Sequence, residues 1–229
     1  MAINVIRPTK APNLPIGPVS YSQQYTDQHN NVLRLYFNAI DTIFTATLGT
    51  NGGQYYQFPH IAASDSTDQY ADGNNDPTVV KWNTLDAGSG FTLSAPGSAT
   101  AQISGVYKIT YSAQLANTAN TSHDAVFWLK VNNSDVPNSA TIFTLPARKS
   151  AGVPSYVAAY SEVTFSVNGG DVIELWWATD QAYDTSPATD GVYILHEPAW
   201  TTPTNPYARP AVPSVIGSIT FISRLPTTP

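Results

Sequence analysis

Cysteine is absent from the 229 residues, which excludes a disulfide framework, a thiolate metal centre and thiol redox chemistry. Charge is scarce: ten Lys and Arg stand against sixteen Asp and Glu, a net charge of −6 and only 11% charged residues. Such a balance keeps a protein in solution but offers little to a phosphate backbone, so nucleic acid is excluded as a partner. Long apolar runs are missing too, and no stretch of about 18 apolar residues predicts a membrane-spanning helix. Met1 to Arg7 has no basic region followed by an apolar segment of signal length, so no signal peptide is read and the chain is expected to be made in the cytoplasm. Glutamate is nearly missing, with only Glu162, Glu174 and Glu197, which thins the supply of acid/base pairs. What remains is 42% hydrophobic and 11% aromatic, enough to bury one ordinary core.

The pattern along the chain is uneven. Pro8, Pro12, Pro15 and Pro18 forbid a helix over residues 1–18 and favour extended geometry. Ile3, Val5, Ile6, Leu14 and Ile16 lie between them, and a solvated tail has little use for aliphatic residues at that density. We read this arm as an extended peptide that anchors in the groove of a partner, with Ile3, Val5, Ile6, Leu14 and Ile16 as the anchoring side chains.

Residues 19–48 contain no glycine or proline, and Ser20 with Gln23 has the spacing of a capping box, predicting a helix that starts near Ser20. Tyr25, Gln28, Val32, Leu35 and Ala39 follow a 3-4-3-4 spacing, and Leu33, Tyr36, Ile40 and Ile43 fill the adjoining face, so the apolar arc is wider than a single sheet-facing stripe. Two uses are open to such a helix: packing on its own β domain, or self-association in a short bundle through Tyr25, Val32, Leu35, Ala39 and Ile43. The second is favoured.

From Gly49 to Pro229 short β-type runs alternate with turn clusters. Val106 to Leu115 is the clearest, with Tyr107, Ile109, Tyr111, Ala113 and Leu115 on one side and Lys108, Thr110, Ser112 and Gln114 on the other. Further strands are predicted over 54–62, 78–82, 90–94, 125–131, 156–167, 172–178, 191–196 and 215–224, which makes a mainly β sandwich over 49–229.

A series of motifs in that region resembles a known family. Gly105-Val-Tyr-Lys-Ile-Thr-Tyr-Ser112, Phe91 to Ser94, the hairpin Trp128-Leu-Lys-Val-Asn-Asn-Ser-Asp-Val136, Asn168-Gly-Gly-Asp-Val-Ile-Glu-Leu175 and Ser218-Ile-Thr-Phe-Ile222 are similar, in order and spacing, to strands of the tumour necrosis factor-like and complement-type globular heads. The resemblance implies a jelly-roll sandwich that trimerises about an axis lined by one sheet. Ala182 to Pro213 departs from it as a long Pro- and Asp-containing stretch, open to use as an exposed face or as a wrap around a neighbouring subunit. A second resemblance rests on Val32-Leu-Arg-Leu-Tyr-Phe-Asn38, Trp128 to Ser139 and Val212-Pro-Ser-Val-Ile-Gly-Ser-Ile219, which are similar to small virion proteins of tailed bacteriophages, especially those of marine bacteria. It implies a homotrimeric structural protein on the virion surface, either a capsid decoration or a short head fibre anchored by its arm. The alternative is a tail-fibre adhesin that reads host surface polysaccharide.

Signals for chemistry are thin. His29, His60, His123 and His196 form no H-E-x-x-H, and neither a nucleophile elbow nor a phosphate loop is present. Glu162 and Glu174 each fall on the polar side of an amphipathic strand, so they are read as solvated faces rather than a glycosidase pair. Asp65, Asp68, Asp72, Asn74 and Asp76 around Gly73 offer oxygen ligands suited to calcium, without the spacing or terminal glutamate of an EF-hand. Trp176, Trp177 and Trp200 could stack on a sugar, but consecutive strand residues face opposite ways, so only one of Trp176 and Trp177 can be outside. The expectation is therefore no enzyme, no cofactor and no metal. The expected partners are the chain itself, another virion protein, and a host glycan in the adhesin reading.

Overall fold

A computed structural model describes residues 9–48, 58–185, 188–201 and 207–225. The chain divides into two compact units, Met1–Gln57 and Phe58–Pro229.

In the first unit residues 9–22 run without regular structure into the helix α1 (Gln23–Leu48). Its 26 residues span about 39 Å at the helical rise. Ser22 caps it: Tyr25 N–H donates to Ser22 Oγ at 3.3 Å and Thr26 N–H to the Ser22 carbonyl at 3.1 Å. The capping box expected at Ser20 and Gln23 does not form, because the cap falls at Ser22 and places Tyr25, which has no carboxyl or amide to reach back, at the third helical position. Tyr25 instead donates its hydroxyl to the Pro15 carbonyl at 3.1 Å, which ties the end of the arm to the first turn. Tyr25, His29, Val32, Tyr36, Ala39 and Ile43 form a half-buried stripe at alternating four- and three-residue steps, while Leu35, Phe37 and Phe44 are exposed on its flanks.

The second unit is a pair of packed antiparallel sheets. Its strands are β1 (His60–Asp65), β2 (Thr78–Val79), β3 (Thr84–Ser89), β4 (Phe91–Ser94), β5 (Ser98–Ala101), β6 (Gly105–Asn117), β7 (His123–Val131), β8 (Ser134–Asp135), β9 (Thr141–Leu145), β10 (Ser155–Val167), β11 (Val172–Thr179), β12 (Asp184–Thr185), β13 (Ala188–Thr189), β14 (Val192–Ile194) and β15 (Val215–Ser223). The first sheet has the order β10-β6-β15-β1-β3, with β14 continuing the line of β15 along β6. The second has β4-β5-β11-β7-β8, with β2 on β11 and β9 on β7. The pairs β7·β9, β6·β10, β5·β11 and β1·β15 are nested one outside the next and alternate between the two sheets. A long double ribbon rolled up in this way is a jelly roll.

Local sequence explains the central strands. β6 alternates between buried Tyr107, Ile109, Tyr111, Ala113 and Leu115 and more open polar residues, as its period of two demands. Asn132 and Asn133 turn the β7–β8 hairpin with φ of 51° and 64°, the left-handed region that asparagine tolerates and a two-residue hairpin requires. Phe127 and Trp177 stack with centroids 6.0 Å apart, Phe127 and Tyr111 at 5.6 Å, and these rings join the two sheets at the centre of the core. Three strands lie outside the predicted runs: Thr84–Ser89 and Ser98–Ala101 hold mostly small or polar residues, whereas Thr141–Leu145 carries Ile142, Phe143 and Leu145 in a strand-like pattern and pairs with β7.

Between the sheets, Trp82, Leu93, Ile109 and Leu175 help line an apolar slot enclosing about 20 Å³, room for a single water and not for an organic ligand. Trp82 closes it against Gly217, where a Cβ would lie 2.3 Å from the indole Cη2. This slot is therefore a feature of core packing and not a ligand site.

Candidate functional site

The expected anchoring residues divide. Ile3, Val5 and Ile6 lie outside the described residues; Leu14 is 47% and Ile16 95% exposed on the segment leading to α1. Of the expected self-assembly residues, Tyr25, Val32, Ala39 and Ile43 share the half-buried stripe, and Leu35 stands beside it, 58% exposed.

The outer face of the first sheet carries exposed apolar side chains, and over one of them, Tyr156, the Lys149 ammonium stands 5.3 Å from the ring centroid. Register places Tyr160 of β10, Ser112 of β6, Ile216 of β15 and Ser64 of β1 in one row across the sheet. Tyr156, Tyr160, Ile216 and Ile222 are all exposed on this layer. A neighbouring row holds Glu162, 3.5 Å from Lys108. At the end of this sheet, Tyr156 and Tyr193 flank Ala116. Tyr193 then packs with Tyr183 and Tyr70 at centroid distances of 5.1 and 5.7 Å, and Tyr70 with Tyr183 at 5.7 Å. Asp68 fixes the group: its carboxylate accepts from the Tyr70 hydroxyl at 3.3 Å and from His196 N–H at 2.7 Å. Burial, followed by the Asp68 charge, pushes the Tyr193 phenol up to about 12. Burial likewise raises Tyr111 to about 12, although its hydroxyl sits beside the Thr141–Ser161 hydroxyl pair without meeting either in hydrogen-bonding geometry.

These two phenols give a pH dependence whose sign follows from linkage. Below pH 10, the ordinary tyrosine value, both are protonated folded or unfolded, and their contribution is fully present. Between about pH 10 and about 12 the unfolded chain ionises first, so stability falls and the contribution is gone above the folded values. Urea midpoints measured across that window should drop, and Tyr111→Phe should flatten the drop by on the order of 2 kcal/mol. A flat wild-type profile through the same window would refute the assignment.

On the second sheet, β11 and β7 align so that Trp176 is opposite Trp128, Glu174 opposite Lys130 and Ala178 opposite Val126. Trp176 and Trp128 point outward and are half-buried; Trp177 points into the core and is fully buried, which is the division expected from strand alternation. Both outward indoles are held at their N–H: Trp128 Nε1 donates to Asp135 Oδ1 at 2.8 Å and Trp176 Nε1 to Glu174 Oε2 at 3.0 Å. Lys130 Nζ stands 4.1 Å from the Trp176 ring centroid, a cation–π contact. Trp200 lies elsewhere, in a ribbon formed by the Glu197↔Val212 and Trp200↔Arg209 bridges, with the Arg209 guanidinium 4.2 Å over its ring and paired with Glu197. That ribbon, β12–β13 and β14 occupy the stretch 182–213. Trp128 carried no isolated signal in the sequence. Its place opposite Trp176 depends on the β7–β11 register, which alternation alone does not specify.

The remaining candidates do not converge. Glu162 and Glu174 face outward from opposite sheets, so they cannot flank one substrate. Oxygens of the 65–76 segment hold the loops: Asp65 Oδ1 accepts from Thr67 N–H at 2.8 Å, and Asn74 Oδ1 from Ala182 N–H at 2.8 Å. Among the described residues no group of three His, Asp or Glu is placed to hold a metal ion. His29 stacks on Tyr25 in α1, His60 lies in β1, and His123 pairs with Asp180 at 3.2 Å. No described helix is long and apolar enough to cross a membrane.

No family model matches the chain, and no curated protein matches it. Solved structures do. The chain is similar to the Eiger TNF of S. frugiperda, with a TM-score of 0.44 and 12% identity over 76% of this chain and 99% of that one. It is similar to murine APRIL, at 0.43 and 14% over 72% and 100%, and to the globular domain of the zebrafish complement 1qA protein, at 0.42 and 11% over 74% and 100%.

Proposed function

We propose that the chain is a homotrimeric structural protein of a tailed-phage virion, set on the capsid as a decoration or short head fibre, with the arm as its attachment and the jelly roll as its exposed head. The observation that carries self-association is the outer face of the first sheet, where Tyr156, Tyr160, Ile216 and Ile222 are exposed on one layer. Scattered exposed apolar residues are ordinary on a monomer; a set of them on one sheet face is a contact surface waiting for a copy. The broad apolar arc of α1, from Leu35 through the Val32 stripe to Phe37 and Phe44, supports the same reading in the other unit. The virion setting is supported by the resemblance of the 32–38, 128–139 and 212–219 segments to phage virion proteins, and by a composition without cysteine that suits assembly in a reducing cytoplasm.

Three linked arms would turn weak docking events into avidity without any new contact. Deletion of residues 1–18 is therefore expected to leave a folded trimer by sedimentation and to abolish co-sedimentation with particles that lack this protein. Full attachment by the truncated chain would remove the arm from the mechanism. A monomeric full-length chain would remove the trimer.

A further inference from the structure

The outer face of the second sheet is banded in a way that assembly does not explain. Along β7 the outward residues run Asp124, Val126, Trp128 and Lys130; β11 aligns Asp180, Ala178, Trp176 and Glu174 beside them. Across the strands this gives an aromatic row of Trp176 and Trp128 and an aliphatic row of Ala178, Val126 and Ile142, the last 66% exposed. On one bank lie Glu174, Lys130 and Asp135, and on the other Asp180 and Asp124. Rows two residues apart along a strand are about 6.6 Å apart, and strands about 4.8 Å apart. The apolar band is therefore two rows, about 13 Å, wide and runs across β11, β7 and β9.

We infer that this band is a binding site for a neutral oligosaccharide, lying across β11, β7 and β9. Pyranose rings present an apolar C–H face, which suits the indoles, and a rim of hydroxyl donors, which suits carboxylates. The banks supply acceptors with capacity to spare: Asp135 and Asp124 each use only Oδ1 in side-chain hydrogen bonds. The two indole N–H groups are already satisfied, so the rings are fixed before any ligand arrives and lose little entropy on binding. Charge selects against other occupants. Four carboxylates against one lysine repel phosphate, sulfate and uronate chains. Area selects against a protein: two half-buried tryptophans and one short aliphatic row, bounded by charge beyond, fall short of the roughly 800 Å² per partner of a stable interface. Lys130 covers part of Trp176 and must swing aside, leaving its ammonium to donate to a sugar oxygen.

The inference stands whether or not the chain trimerises. The test uses the ¹⁵N-labelled full chain with maltohexaose, cellohexaose, xylohexaose and chitohexaose, and with hyaluronan as the anionic control. At least one neutral hexasaccharide should move the indole signals of Trp128 and Trp176 and leave those of Trp82, Trp177 and Trp200 in place, while hyaluronan moves none. Trp128→Ala and Asp124→Asn should each weaken that binding, the first by about tenfold or more. If Trp128→Ala fails to fold, the indole shifts of the wild-type chain and the Asp124→Asn affinity still decide. Unmoved indole signals with all four sugars, or shifts confined to Trp200, would overturn the proposal. So would loss of the oligomer on Trp128→Ala, which would make this face an interface between copies.

Discussion

If the chain forms the trimer proposed above, replacing both Tyr160 and Ile216 by glutamate should convert it to monomers while the jelly roll stays folded. The two side chains lie in one row across β10, β6 and β15, and both are exposed in the isolated unit, Tyr160 at 58% and Ile216 at 49%. Neither contributes much to the fold of a single chain, so their loss costs little there. Covered by a neighbour, each would gain about 1 kcal/mol from its uncovered area at ~25 cal/mol per Å². That is about 2 kcal/mol per subunit and about 6 over three, or roughly four decades in the association constant. Burying the introduced carboxylates adds a desolvation cost of several kcal/mol per buried charge. Sedimentation equilibrium reads the result directly. Ile142→Glu, on the opposite sheet, is the control and should leave the mass unchanged. A double variant of unchanged mass would show that the first sheet is not the contact, and would leave α1 as the element to test next through Leu35→Asp.

The second large effect is on stability. Trp177→Ala should lower the unfolding free energy by about 3–5 kcal/mol, a large share of the 5–15 kcal/mol typical of a domain. Trp177 is fully buried, stacks on Phe127 at an interplanar angle of 19°, and forms part of the aromatic chain that joins the sheets. Its indole N–H meets no acceptor among the described residues, which already offsets part of the apolar gain and places the cost toward the lower end of that range. The neighbouring Trp176→Ala should cost about 1 kcal/mol or less, because that ring lies on the surface and its removal leaves no cavity. Urea denaturation of the two variants side by side is the measurement. Equal losses would mean that the inward and outward assignment of the pair is mistaken.

The pair also shows how far the sequence reaches. Alternation alone required one of Trp176 and Trp177 to be inside. It could not say which, since that depends on how the sheet containing β11 packs on its partner. The β6 pattern, the Asn132-Asn133 turn and the proline-free stretch that becomes α1 were legible because each depends on near neighbours in the chain: a period of two, a positive φ, an absence of helix breakers. The helix start was legible only approximately. Ser20 and Ser22 are both competent caps, and the choice fell to Ser22, beside Tyr25, whose hydroxyl is bonded to the Pro15 carbonyl.

By itself the sequence determined the class of structure, a proline-spaced arm, a helix and a β sandwich, because periodicity, turn chemistry and breakers act over a few residues. It also bounded the chemistry, since without cysteine and with three glutamates few reactive constellations can be built. Tertiary structure alone decided which side chains meet. Strand register set Trp128 beside Trp176 and Tyr160 in line with Ile216, while the division into two sheets sent Glu162 and Glu174 to opposite faces. Register and sheet packing are set by contacts between residues far apart in the chain, where a one-residue slip moves every side chain to the other face, and no local pattern records that choice.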